Sequence, residues 1–272
     1  VTRRRALDRE LVRRGLVGDV PEAEALVAAR RVLVGGAVAD STRRQVAPDE
    51  PLVVEDPPDR YVSRAGHKLE AAIVGWDIAI SGRHAVDVGA STGGFTDCLL
   101  QHGAASVAAI DVGSGQLDQR LRDDRRVTPL ERTNVRDVTA DQLARRGEVV
   151  VVDVAFTSVA RLAESVLALA EDAADVVVLV KPQFEATRHE ADVVRGVIVD
   201  AAVRRRVLEE VAAAFESAGA GIMGAMPCPL RGAAGNVELL LHARAGAPPM
   251  RPALRAAMLD AAIATTTGGG AP

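Results

Sequence analysis

Five short runs in the middle of the chain do most to limit its fold: HAVDVGA (84–90), SVAAID (106–111), VTPLE (127–131), EVVVVDV (148–154) and DVVVLVK (175–181). They are rich in Val and lack polar alternation. A strand with one wet face alternates apolar and polar residues, so continuous apolar runs read as strands covered on both faces. Helical stretches such as FTDCLLQHG and ARLAESVLALAED lie between most of them, SRAGHKLEAAI leads into the first, and NVELLLHAR (236–244) reads as a late strand. Strands alternating with helices predict an α/β fold built on a doubly wound sheet. PALRAAMLDAAIA supplies a terminal helix, and TTTGGGAP reads as a frayed tail.

The first 55 residues have a different texture. ALDRELVRRGLV has helical spacing, with Leu7, Leu11 and Val12 on one face and arginines on the other. PEAEALVAARR reads as a second helix with Pro21 near its first turn. VLVGGAVAD and PLVVED are β-rich, and Pro57-Pro58 marks a linker. The boundaries expected are a small α+β domain at 1–56, a linker at 57–63, a large domain at 64–250 and a C-terminal helix with its tail at 251–272. Residues 1–17 hold six Arg against Asp8 and Glu10, a basic patch within a chain of formal charge -4.

Cys98 and Cys228 have no metal-ligand spacing, so no metal is expected and a reducing compartment is the natural reading. No apolar run follows the basic start as a secretory signal requires. Runs such as Val176 to Val180 fall far short of the roughly 18 residues of a membrane span. These features fit a cytoplasmic protein.

DVGASTGGF (87–95) stands where the first sheet strand turns into a helix. Gly89, Gly93 and Gly94 allow close backbone approach and expose amides at the helix start. The order D-x-G-x-x-x-G-G is not the dinucleotide fingerprint G-x-G-x-x-G; it is the usual nucleotide loop of S-adenosylmethionine enzymes, although a Gly-rich turn also serves plain βα connections. Asp87, Gly89, Ala90, Ser91, Thr92, Gly93, Gly94 and Phe95 are the candidate cofactor residues here. Asp111 ends the next strand 22 residues after Gly89, near the offset of about 20 at which an acid meets a ribose diol in such folds. Asn134, after the third strand, is a candidate for the adenine ring.

Of the 33 basic residues only Lys68 and Lys181 are lysines. Lys181 ends its strand just before Pro182, and Asp153 ends the strand before it; in a doubly wound sheet both face the ligand crevice. Lys68 lies on the helix entering the first strand, and Glu238 opens the late one. Arg keeps its proton at any accessible pH, whereas Lys can lose one in a suitable environment. Lys181 is thus a candidate proton acceptor for a hydroxyl, or else the group that orients it. A surface charge is the plainer alternative for any one of the four.

In order, GASTGGF, DVGSGQL, LERTN, VVVDVAFTSV, VKPQFE and GNVE after a basic N-terminal module resemble the TlyA family over nearly the whole chain. Members of that family are named both as haemolysins and as ribosomal RNA 2′-O-methyltransferases, and their catalytic domain is similar to FtsJ-type RNA methyltransferases. The resemblance implies a Rossmann-like domain that uses S-adenosylmethionine to methylate ribose hydroxyls of cytidines in ribosomal RNA. It places a Lys-Asp-Lys-Glu tetrad on Lys68, Asp153, Lys181 and Glu238. It also makes residues 1–56 a module like that of a small-subunit ribosomal protein, with Arg3, Arg4, Arg5, Arg13 and Arg14 as RNA contacts and a free protein that is monomeric. The chain departs from relatives at Val20-Pro21, at Tyr61 where Trp is usual, at Ala155 and Thr157, and in the loop 186–196, where Arg188 and Arg195 replace a Gly/Lys-rich segment.

Two other functions compete with the enzyme. A membrane-active protein would need an exposed amphipathic helix, for which 251–264 is the one candidate. A non-catalytic ribosome-binding protein would have no need of both lysines.

Overall fold

The computed structural model describes residues 4–55, 59–139, 142–143, 145–187, 189–190, 196–232 and 234–267. Arg3, Pro57, Pro58, Arg188, Arg195 and the tail from 268 onward lie outside the described residues. The chain divides into two compact units, Val1–Arg60 and Tyr61–Pro272.

In the first unit, β1 (Arg5–Ala6) leads into α1 (Leu7–Arg13), followed by α2 (Val20–Ala28), β2 (Val32–Val34), β3 (Ala37–Val38), β4 (Gln45–Val46) and β5 (Leu52–Val54). Strands β3-β2-β5 form an antiparallel sheet, and β1 pairs with β4. Leu7 and Leu11 are buried in a core with Val27, Val32 and Val46. Asp19 caps α2 by accepting from the Glu22 amide at 2.9 Å, and Pro21 occupies a first-turn position where no amide partner is needed.

The second unit holds the long sheet. Its elements are α3 (Ala65–Gly75), β6 (His84–Val88), α4 (Gly94–Gln101), β7 (Ser106–Ile110), α5 (Gln119–Arg122), β8 (Val127–Leu130), β9 (Gly147–Val152), α6 (Ala163–Ala168), β10 (Ala170–Val180), α7 (Pro182–Glu185), α8 (Ala201–Ser217), β11 (Ala220–Pro227), β12 (Leu239–Ala245) and α9 (Pro252–Thr267). The sheet order is β11-β12-β10-β9-β6-β7-β8. Strands β8, β7, β6, β9 and β10 run parallel; β12 is antiparallel to both β10 and β11.

The Val runs are explained by which side each residue faces. Val150, Val152, Val176 and Val178 join one core with Val207, Leu208, Val211 and Phe215 of α8. Val149, Val151, Val177 and Leu179 join the other, with Leu69 and Ile73 of α3 and Phe95 and Leu99 of α4. Side chains alternate across a strand, so a sheet covered on both faces needs an apolar residue at every position.

Three segments differ from the sequence expectation. ARLAESVLALAED does not continue as one helix: α6 ends at Ala168, and β10 begins at Ala170. The chain turns at Ala173, whose φ is +61°, and the β9 pairing shifts register between Ala170 and Asp175. The expected elements do not include α8, although its buried Val207, Leu208, Val211, Ala212 and Phe215 have helical spacing, nor β11 (AGIMGAMP), which is Gly-punctuated because Gly221 lies against Pro248 and Gly224 against Trp76. The segment 251–264 is the candidate membrane-active helix, yet as α9 it buries Leu259, Ala262 and Ile263 in the core. Among the described residues no helix is long and apolar enough to cross a membrane.

Candidate active site

The sheet brings the candidate residues to one edge by register alone. Parallel strands β6, β7, β9 and β10 end at Val88, Ile110, Val152 and Val180, and the next residues are Gly89, Asp111, Asp153 and Lys181. Strand β12 runs the other way, with Leu239 paired to Val180. Its entry residue Glu238 therefore meets the exits of the parallel strands.

At this edge the four charged residues form two close ion pairs. Lys68 Nζ donates to Glu238 Oε2 at 2.5 Å, and Lys181 Nζ lies 2.6 Å from Asp153 Oδ1. Lys68 and Glu238 are buried. The buried Cys228 thiol is pushed up to about 11 by burial, and it feels the charges of Lys68, Glu238 and Asp153 together. The two pairs thus share one locality. Each ammonium is matched by one carboxylate, so the cluster as a whole is neutral.

A cavity of about 400 Å³ opens beside Asp153. Gly89, Ser91, Asp111, Asn134 and Asp153 line it, together with apolar Ile110, Val135 and Leu162. The Asp111 carboxylate accepts from the Ser91 amide at 2.8 Å and the Gly113 amide at 2.7 Å, one on each oxygen. A carboxylate has about four acceptor positions, so it keeps capacity for a diol. An acid for a ribose, apolar walls for a flat base, and Asp153 in the lining with Lys181 paired to it together fit S-adenosylmethionine.

Several loop residues do other work. Asp87 is fully buried; its Oδ2 accepts from the Thr96 hydroxyl at 2.7 Å, and its Oδ1 has no partner. Burial pushes its carboxyl up to about 7, against the Thr96 hydrogen bond, and the charge of Asp153 pushes the same way. A Cβ on Gly89 would stand 2.6 Å from the Asp153 carbonyl, and one on Gly93 would overlap Leu121. Both have positive φ, so chain-on-chain packing already requires glycine there. Gly94 abuts Ser63 and Ala65 where α4 approaches α3. Ala90 and Phe95 are buried, and Thr92 is exposed away from the cavity wall.

Two aromatic residues at the mouth were missed from sequence. Phe156 lines the cavity, is 92% exposed and has φ +61°. Phe184 lies 5.3 Å from it between ring centroids, with Lys181 Nζ 5.9 Å above the Phe184 ring. Glu185 ties α7 to this loop: it accepts from the Ser158 hydroxyl and the Val159 amide, both at 2.6 Å. Burial raises its carboxyl above the usual range against those bonds. In a chain with only four Phe, a Phe three residues after a strand-end acid was the available signal.

In the first unit the arginines divide. Arg4 and Arg5 are exposed, and Arg13 is also exposed but doubly bonded to buried Glu10. Arg14 donates to Glu10, Glu50, Ala47 and Pro48 at 2.8 to 3.0 Å, so its guanidinium is occupied inside its own unit. The Arg13 hydrogen bond holds the Glu10 carboxyl down at about 2.

The FtsJ-like methyltransferase family model matches residues 61–245. The chain is 42% identical over 245 residues to the 16S/23S rRNA (cytidine-2′-O)-methyltransferase TlyA of Mycobacterium tuberculosis, covering 90% of this chain and 91% of that one. The chain belongs to the TlyA family. Another TlyA-like relative, Hemolysin A of Brachyspira hyodysenteriae, is 36% identical over 87% of this chain and 98% of its own. A solved structure of a hemolysin-named protein from Streptococcus thermophilus superposes with TM-score 0.73 at 30% identity, covering 98% of this chain and 97% of that one. This TlyA-family chain thus shares both its units with its relatives. Among its described residues no group of His, Cys, Asp and Glu could hold a metal ion.

Proposed function

We propose that the protein is an S-adenosylmethionine-dependent methyltransferase acting on the ribose 2′-hydroxyl of a cytidine in ribosomal RNA. The observation that carries this is the pair of lysines, each matched to a carboxylate at 2.6 Å or less, with one of those carboxylates, Asp153, lining the same cavity as Asp111. The cofactor supplies an electrophilic methyl group on a positively charged sulfur. Asp111 binds the cofactor ribose, Asn134 contacts its base, and Gly89 and Ser91 form the adjoining wall.

The 2′-oxygen must lie in line with the methyl group and must lose its proton as the O–C bond forms. Lys181 holds that hydroxyl, either as a neutral amine that has first given up a proton and takes the hydroxyl's on Nζ, or as an ammonium that donates to the oxygen while water carries the proton off. Asp153 fixes the Lys181 amine, and Glu238 fixes Lys68 on the other side. Phe156 offers an apolar face at the mouth, where a base drawn out of its stack can rest. The first unit binds RNA through Arg4, Arg5 and Arg13, with Arg3 as a further contact. On this proposal the protein works in the cytoplasm, where its ribosomal substrate is, and is monomeric when free; sedimentation as a stable dimer would overturn the last point.

The test is incubation of ribosomal subunits from an unmodified strain with the protein and S-adenosylmethionine, followed by mapping of alkali-stable 2′-O-methyl marks. A mark that depends on Lys181 is expected. No mark on either subunit would overturn the reading. Substantial activity in Lys181→Arg, which keeps the charge but removes a usable base, would assign Lys181 the orienting role.

A further inference from the structure

Beyond the cofactor cavity, a second hollow of about 290 Å³ lies at the same edge of the sheet. Val197, Ile198 and Val199 form one wall, Gly235 and Val237 another, and Arg204 and Arg231 both line it. Arg204 is only 4% exposed. A buried charge is ordinarily paired, yet Arg204 makes no side-chain hydrogen bond or ion pair among the described residues, and its Nε is buried without a partner. Asp200, whose charge acts on Arg204, is turned onto the Ala202 amide at 2.7 Å as the cap of α8. Burial and the neighbouring Arg231 both lower the Arg204 guanidinium from its ordinary value. The first turn of the 17-residue helix α8 adds its positive end to the same place. Two guanidinium groups thus share one hollow with no carboxylate of the described residues bonded to either. Among the described residues Arg231 donates only to the Gly235 carbonyl, at 3.2 Å.

The hollow is joined to the catalytic groups on two sides. Arg64, just before the helix that carries Lys68, donates to the Arg231 carbonyl at 2.5 Å. Gly232 is pressed against Glu238, where a Cβ would stand 2.5 Å from Oε1. Buried Asn236 closes the floor, accepting from the Ile198 amide and donating to the Gly196 carbonyl, both at 2.8 Å.

We propose that Arg204 and Arg231 form a seat for a phosphodiester of the substrate RNA, next to the nucleotide held at Lys68, Asp153, Lys181 and Glu238. The planar guanidinium fork suits a phosphate better than any neutral partner. A bound phosphate supplies the counter-charge that no described residue gives Arg204. The ligand class rests on the RNA-methyltransferase reading; the anion seat itself does not.

The test uses the full chain with Arg204→Met and, separately, Arg231→Ala, the exposed member, which covers the case of a misfolded Arg204 variant. Thermal midpoints are read with and without inorganic phosphate, and affinity for a ribosomal RNA fragment is read against salt. Phosphate should raise the wild-type midpoint and leave both variants unmoved, and Arg204→Met without phosphate should melt no lower than wild type. RNA affinity should fall about tenfold in each variant, and the slope of log K on log salt should drop by roughly 0.7–0.9, as when one phosphate is no longer neutralised. A lower midpoint for Arg204→Met with an unchanged RNA slope would make Arg204 structural and overturn the proposal. Loss of the phosphate effect with unchanged RNA binding would mean a free-anion site and overturn the RNA assignment. If wild type makes no 2′-O-methyl mark while the phosphate and RNA differences hold, the seat stands and the methyltransferase reading fails.

Discussion

Asp87→Asn should make the second unit more stable at neutral pH and flatten part of its pH dependence. The wild-type carboxyl is fully buried, with one oxygen on the Thr96 hydroxyl and the other unpartnered. Its value rises from 3.8 to about 7, chiefly because burial penalises the charged form. A carboxyl whose folded value is raised contributes stability that is full below its unfolded value. That contribution is lost as pH climbs through the folded value, because the folded state binds the proton more tightly than the unfolded chain does. A rise of about 3 units at 1.36 kcal/mol each gives a total loss of about 4 kcal/mol between pH 4 and pH 8. Roughly 2–3 kcal/mol of it falls between pH 5 and pH 8. Asn has the size of a protonated Asp and no charge, so the variant should lack this decline.

The assay is urea unfolding at pH 5, 6, 7 and 8, followed by the fluorescence of Trp76, the single tryptophan, which lies in the second unit. Burial raises the Glu185 carboxyl as well, so the quantity to plot is variant minus wild type. That difference should grow by roughly 2–3 kcal/mol from pH 5 to pH 8. A flat difference across the range would refute the reasoning, since it would mean that Asp87 is ionised in the fold throughout.

Phe156→Ala should leave the unfolding midpoint in place, because the ring is 92% exposed, and should raise the KM for RNA about 5- to 100-fold, the range for loss of one stacked base; an unchanged KM in single-turnover methylation assays would rule out stacking. Arg14→Gln should weaken the first unit by about 1–3 kcal/mol, since three backbone carbonyls and Glu10 lose a donor. Hydrogen exchange in residues 4–55 would report this, and the salt slope of RNA binding should not move. In Arg4→Gln and Arg5→Gln the opposite should hold: unaltered exchange, and a slope lower by roughly 0.7–0.9 for each phosphate left without its arginine.

The parts of the fold legible in the sequence were those set by local pattern. Consecutive Val residues marked the buried strands because both faces of β9 and β10 are covered, and strand ends followed from where those runs stop. Lys68 and Lys181 stood out because their type is rare in this chain. What remained hidden depended on distant partners. Arg14 looks like Arg4 in sequence, and only the carbonyls of Ala47, Pro48 and Glu50, more than 30 residues on, distinguish a structural arginine from a free one. The glycines of the loop read as ligand-facing, but what crowds Gly93 is Leu117 and Leu121 from the far end of another connection. The end of α6 was invisible because LALAEDAAD has helical composition throughout, and the left-handed turn at Ala173 lacks the glycine that usually announces one.

The reversed strand explains why the reactive cluster can be neutral and still hold two lysines. Parallel strands deliver side chains to the ligand edge only as they leave the sheet, and here those exits supply Asp153 and Lys181. The second carboxylate of the cluster comes from a chain entering the sheet, which β12 does because it lies antiparallel between β10 and β11. Glu238 then reaches Lys68 on α3, a residue 170 positions earlier in the chain. With Glu238 absent, Lys68 would sit buried beside a positively charged cofactor with nothing to balance it, and burying an unpaired charge is far more costly than burying a pair. The antiparallel strand is thus part of the proposed site, and the contact it makes is among the longest-range in the unit. Binding and transfer therefore depend on the whole second unit being folded, since no single βαβ segment contains more than half of the cluster.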